Sequence, residues 1–172
     1  MNAEELRAIQ APFKSLYREA PENAVFTLKA KGDLGSGISC KVETGRGLAE
    51  AGLHPKTGGD GLSLCSGDML LEALVACAGV TLKAVATALD LPLRNATVTA
   101  EGDIDARGTL GVDKTAPVGF REIRLNFAID SDAPPEHLET LVKLTERYCV
   151  VFQTINKRPA LTVSHRRATG DV

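Results

Sequence analysis

From Ser66 to Leu89 the sequence reads SGDMLLEALVACAGVTLKAVATAL, and a helix with these residues has almost no polar face. Leu70, Leu71, Leu74, Val75, Val80, Leu82, Val85 and Leu89 fall nearly all the way round it, with alanines between them. Such a helix must be enclosed by protein, and Glu72 and Lys83 inside it argue against a membrane span. A chain of 172 residues is one domain by size and seldom has material enough to wrap a helix of this kind alone. A second subunit is therefore expected.

Composition excludes several functions. With 44% hydrophobic and 24% charged residues and a net charge of −2, the chain offers no electrostatic footprint for nucleic acid or an anionic membrane. Four cysteines without a CxxC pair, and three histidines, argue against a metal site and against a disulfide-stapled fold. No metal or other cofactor is expected. The start, MNAEELRAIQ, has no basic segment followed by an apolar one, so a cytoplasmic location is expected.

Around the long helix the sequence alternates between helical and extended patterns. Asn2 and Glu5 have the spacing of a capping box, and Leu6, Ile9, Phe13, Leu16 and Tyr17 share a helical face. Pro12 should kink or restart that helix, and Pro21 should end it. VFTLKAKG and GISCKVETG read as a hairpin around GDLGSG, with Cys40 on its core side. A glycine-rich loop, residues 45–61, leads to the long helix, which Ser63 or Ser66 would cap and Pro92 would end. Ala96–Asp105 and Arg121–Ile129 are the next strands, and residues 106–119 between them form a long loop suited to mobility or function. A helix capped by Asp132 follows, with Leu138, Leu141, Val142, Thr145 and Cys149 as its buried stripe, and then a last strand, ALTVSH. The order predicts an α+β fold of antiparallel sheets wrapped around central helices. Residues 1–20 are read as a helical extension, 24–165 as the domain and 166–172 as a polar tail.

The common catalytic motifs are missing: there is no GxSxG, no P-loop and no HExxH. A cysteine–histidine hydrolase stays open, because His54, His137 and His165 have no assigned place in space. Cys77 and Cys149 lie on two buried helix faces, where cysteine is ordinarily a small core residue. Ala76, Ala78 and Gly79 are small, however, so another element or a substrate can approach Cys77 closely. Thr81, one turn on, shares its face and can hydrogen-bond the sulfur. Thr81 and Gly79 are thus candidate cleft residues.

GGDGLSLCSGDMLLEALVACAGVTLKAVA resembles the segment of the OsmC/Ohr superfamily that runs from a Gly-rich loop into a helix bearing the reactive cysteine. LTERYCVVFQTINKRPALTVSH resembles that family's second cysteine, near a helix end and ahead of the last strand, and VGFREIRLNFAIDSD fits the strand and turn before it. The resemblance covers roughly residues 24–165. It implies an intertwined homodimer and a cysteine-based peroxidase for organic hydroperoxides or hydrogen peroxide. By position Cys77 would be the attacking thiolate, oxidised to a sulfenic acid, and Cys149 would resolve it as a disulfide. A dithiol, lipoyl-type among others, would be the reductant.

A buried thiol needs a cation or donor to become a thiolate. The sequence departs from the peroxidase branch at this point. Gly67 stands where that branch carries glutamate, GDLGSG lacks its arginine, and Val150 replaces the proline after the second cysteine. Arg46 is the substitute for the arginine. Asp68 is the candidate carboxylate, although it lies about 180° around the helix from Cys77. Cys65 would be about 18 Å from Cys77 if the helix ran through it, beyond disulfide reach, and is expected as a core residue before the helix. These departures leave one alternative from another class: a dimeric module that holds a small apolar ligand in the Cys77 cleft without turnover.

Overall fold

The computed structural model describes residues 3–34, 40–42, 51–62 and 64–165. At its centre is the helix α2, Ser66–Ala88. By length and composition it could cross a membrane, but here it is the core helix. It packs on β1 (Val25–Leu34), β2 (Cys40–Val42), β5 (Asn95–Asp105) and two later helices. Leu71, Leu74, Val75, Ala78, Leu82, Val85 and Ala86 repeat at helical spacing and are buried, and they divide between two core clusters. Asp90, at φ 52°, takes the left-handed conformation that turns the chain out of α2 ahead of Pro92.

The main sheet has four strands in the order β2-β1-β5-β6, all antiparallel, with β6 (Phe120–Asp130) at one edge. The expected hairpin forms, with Leu34 opposite Cys40. In β5 the alternation is strict: Ala96, Val98, Ala100 and Gly102 are buried beneath α2, while Thr97, Thr99, Glu101 and Asp103 face outward. On that outer face Arg124 pairs with Asp103 at 2.6 Å, and with Glu101 and Glu122 at 3.5 Å. A short parallel pair, β3 (Ala51–Gly52) and β4 (Leu64–Cys65), brings the chain to the start of α2.

Several sequence expectations are corrected here. Helix α1, Ala3–Glu19, continues through Pro12 without a break. Of its expected stripe, Tyr17 is fully buried and donates to the Lys56 carbonyl at 2.6 Å, whereas Ile9 and Leu16 are exposed. Asn2 and Ser63 lie outside the described residues. No side chain caps α2; Cys65 occupies the cap position and packs against the core. The loop after β5 is braced, not loose. It opens with one helical turn, α3 (Ala106–Thr109), capped by the buried Asp105, and Arg107 ties Asp105 to Asp113.

Helix α4, Pro135–Tyr148, is not capped by Asp132, which pairs with Arg94 instead. The chain breaks at Cys149 and restarts as α5, Val150–Asn156, a helix the sequence pattern did not reveal. ALTVSH is not a strand in this chain. Residues 158–165 are irregular and exposed, with Leu161 at 86% and Val163 at 98%. A segment that alternates like a strand but finds no ladder has no strand partner among the described residues.

Candidate functional site

The two cysteines that the sequence singled out come together. Cys77 lies mid-way along α2 and Cys149 in the break between α4 and α5, and both join the same core cluster. Cys149 is buried and Cys77 half-buried; both are free thiols. Cys149 still closes the last turn of α4 with its N–H; beyond it the chain turns, Cys149 becomes the cap residue of α5, and the N–H groups of Val150 and Val151 are brought to the Cys77 sulfur. The Cys149 sulfur accepts the Phe152 N–H at 3.4 Å, while Thr145, buried one turn earlier, anchors the Cys149 N–H through its carbonyl at 2.9 Å.

The electrostatics differ sharply between the two sulfurs. Burial alone would push the Cys77 thiol up. Hydrogen bonds donated by the Val151 N–H, the Cys149 thiol, the Thr81 hydroxyl and the Val150 N–H outweigh it, and hold Cys77 below the ordinary thiol range. Cys149 goes the other way. Burial raises it, the Phe152 N–H offsets part of that, and the negative charge of a Cys77 thiolate raises it further, to about 11. Ionisation is thus favoured at one sulfur and disfavoured at the other, which serves it as a hydrogen-bond donor. Iodoacetamide at neutral pH should therefore label Cys77 well before Cys149. Mass mapping of a brief alkylation series checks this, and equal labelling would refute the asymmetry.

Of the residues singled out in the sequence, Cys77, Cys149 and Thr81 are brought together. The sequence reading missed the donors, which are backbone N–H groups of Val150 and Val151 and carry no side-chain signature. Gly79 does not line a cleft: it is buried, about 200° around the helix from Cys77. Asp68 is not brought to Cys77 either. It sits beside His54, where burial raises its carboxyl and the imidazole pulls the other way. Arg46 lies outside the described residues, and among the described residues no guanidinium contributes to the lowering of Cys77. Arg124 serves the outer face, and Arg147 lies over the Tyr148 ring at 5.6 Å.

His54 is held firmly. Its ring stacks on Phe26 with centroids 4.3 Å apart, and its Nδ1 accepts the Lys56 N–H at 3.0 Å. In the neutral ring that bond leaves the proton on Nε2, and burial, only partly offset by Asp68, holds the imidazole below its ordinary value. A neutral imidazole in this tautomer has no lone pair at Nε2 to take a proton from a thiol. His137 and His165 are exposed on the surface. Among the described residues no histidine contributes to the lowering of Cys77, so nothing supports the cysteine–histidine hydrolase alternative.

Beside the thiol pair runs a groove of ≈ 710 Å³ between α2, β6 and α5. Leu74, Ile123, Leu125, Phe127, Phe152 and Ile155 form its apolar walls, with Arg121, Glu122 and Glu146 among its polar residues. Phe152 connects the groove to the site, because its N–H is the one that reaches Cys149. Cys77 itself is not in the groove wall. Among the described residues no cluster of His, Cys, Asp and Glu could hold a metal ion.

Residues 58–164 match the family model described as OsmC-like protein. The fold is similar to that of an OsmC-like hydroperoxide resistance protein from Jannaschia sp. CCS1, with a TM-score of 0.58 at 16% identity, covering 87% of this chain and 97% of that one. It is also similar to an OsmC-like protein from Mycoplasma pneumoniae, with a TM-score of 0.54 at 18% identity, covering 78% and 86% of the two chains. No curated protein matches the chain.

Proposed function

Since the chain belongs to the OsmC-like protein family, we propose that it is a cysteine-based peroxidase that reduces organic hydroperoxides. The observation that carries this reading is the hydrogen-bonded pair of free thiols with Cys77 lowered and Cys149 raised. The Cys77 thiolate attacks the terminal peroxide oxygen, the O–O bond breaks, and the alkoxide takes from solvent the proton that Cys77 had released and leaves as the alcohol. Cys77 is then a sulfenic acid. It no longer carries the charge that raised Cys149, so Cys149 ionises more readily at this step than before it. The Cys149 sulfur attacks the Cys77 sulfur, water leaves, and a disulfide forms. An external dithiol returns both cysteines to thiols by exchange. One hydroperoxide and two thiols give one alcohol, one water and one disulfide.

The apolar groove favours organic hydroperoxides over hydrogen peroxide, because it can bury an alkyl or aryl group against Leu74 and Phe152, which also pack in the core cluster of the two cysteines. The test is stoichiometric. One equivalent of cumene hydroperoxide should consume two thiols and leave a Cys77–Cys149 disulfide within one chain. The second reading, a binding module, is favoured by the absence of Cys77 from the groove wall. Under that reading the hydroperoxide binds and no thiol is lost, which would sink the peroxidase.

A homodimer completes this proposal. Met69, Val80 and Leu89 are exposed along α2, β6 is an edge strand among the described residues, and Leu161 and Val163 are exposed on the segment that ends the described chain. Each feature is costly in a lone chain, and a second copy covering all of them supports an interface above about 2,000 Å². Light scattering at micromolar concentration should give twice the chain mass; a stable monomer would end the shared interface. The dithiol reductant belongs to a reducing compartment, consistent with a cytoplasmic location.

A further inference from the structure

The groove beside the thiol pair does not stop at open solvent. A second groove, of ≈ 380 Å³, carries His54, Cys65 and Ile104 on its walls, and the two grooves share Leu70, Gly119 and Phe120. Of these shared residues, Phe120 is the one with a large rigid side chain projecting from the sheet. Its ring lies over Gly102, so closely that a Cβ at that position would fall 2.4 Å from it. A strand glycine that packs nothing of its own here makes room for the ring.

A bulge puts the ring there. Along β5 and β6 the partners run Gly102 with Ile123, then Asp103 with Glu122, then Ile104 with Phe120, so Arg121 is the extra residue. In unbroken register Arg121 would stand opposite Ile104, and Phe120 would point outward with Glu122 and Arg124. The extra residue turns Phe120 to the side of Ile123, Leu125 and Phe127, between the two grooves. The single place where this ladder loses register is thus the place where the grooves meet.

We propose that Phe120 is the specificity-determining partition of the site, setting the greatest length of alkyl chain that the groove beside the thiol pair accepts. This rests on the peroxidase reading. Hydroperoxides whose apolar part fits the first groove bury it fully. Longer ones meet the Phe120 ring and leave methylenes in water. Without the ring the first groove opens into the second, past Leu70 toward Ile104.

Linear alkyl hydroperoxides from butyl to octadecyl test this, using wild type, Phe120→Ala and Phe120→Leu. Each methylene that gains burial is worth roughly a factor of four, so Phe120→Ala should raise the octadecyl-to-butyl ratio of kcat/KM by about tenfold or more, and Phe120→Leu by less. The matching linear alcohols, which carry no peroxide, should show the same shift when they displace an apolar fluorophore. Gly102→Ala approaches the ring from the other side and keeps it. Since its Cβ must push the ring aside, it too should change the length profile, and it decides the matter if Phe120→Ala does not fold. An unchanged length profile in folded Phe120→Ala, or in Phe120→Leu and Gly102→Ala together, overturns the partition. If no hydroperoxide consumes thiols in wild type, the peroxidase reading fails, and the alcohol series still decides the partition.

Discussion

Cys77→Ser should lose fast hydroperoxide reduction by roughly three orders of magnitude or more, because a serine hydroxyl stays protonated and is a poor nucleophile toward peroxide oxygen. Cys149→Ser should behave differently. Its Cys77 still receives the Val150 and Val151 N–H groups and the Thr81 hydroxyl. It should therefore react once, leaving a sulfenic acid that dimedone traps and that excess peroxide drives to sulfinic acid. Dithiol-supported turnover in that variant should fall sharply, with partial rescue by a small thiol acting in place of Cys149. Cys65→Ser should keep the chemistry, since Cys65 lies at the other end of the groove system. Stopped-flow thiol loss and intact mass distinguish all of these. Equal rates in Cys77→Ser and wild type would show that the raised-and-lowered pair is a packing arrangement and nothing more.

The parts of this site that were legible in the sequence were those carried by side chains at helical or strand spacing. Cys77 and Thr81 sit one turn apart, and one turn apart is one face, so their contact followed from the helix alone. The hairpin and the inward alternation of Ala96, Val98 and Ala100 were legible for the same reason. What escaped was set by backbone and by tertiary packing. The break at Cys149 depends on where α4 stops, and nothing in ERYCVVFQ prevents a helix from continuing; the burial of Thr145 and Cys149 against α2 decides it. The activating donors are consequences of that break. An activating cation was sought because charge is what a sequence displays, whereas among the described residues backbone N–H groups supply much of the stabilisation. ALTVSH failed as a strand for a third reason: alternation states what a segment would do in a ladder, not whether its own chain offers one. The bulge at Arg121 was equally hidden, since in RLNFAI the alternation is clean and the extra residue lies three positions before it.

The largest stability effect outside the apolar core is expected at Asp105. Its side chain is 2% exposed, yet it is charged, and its partners explain why it is tolerated. It accepts the Arg107 N–H at 3.1 Å as the cap of α3, and both of its oxygens meet the Arg107 guanidinium, at 2.6 Å for the shortest contact. Arg107 in turn reaches Asp113, which holds Thr115 through its N–H and its hydroxyl. Asp105→Ala removes the cap and the charge-assisted bonds together. The expected cost is about 3 kcal/mol, a fall in Tm of roughly 6–12 °C for a chain of this size. Asp105→Asn keeps a capping oxygen and should lose about half as much. The pH dependence has a definite sign. The Arg107 guanidinium beside Asp105 holds its carboxyl below the usual range, so the folded state binds that proton less readily than the unfolded one. Its contribution is complete above the unfolded carboxylate value, near pH 4, and disappears as pH falls through the lower folded value. Wild type should therefore exceed Asp105→Asn by a constant margin from about pH 5 to 8, and the two should converge in stronger acid. Urea titrations at several pH values measure the margin. A margin that grows on acidification would mean that the proton favours the folded state, and the ion pair would not be what holds the loop.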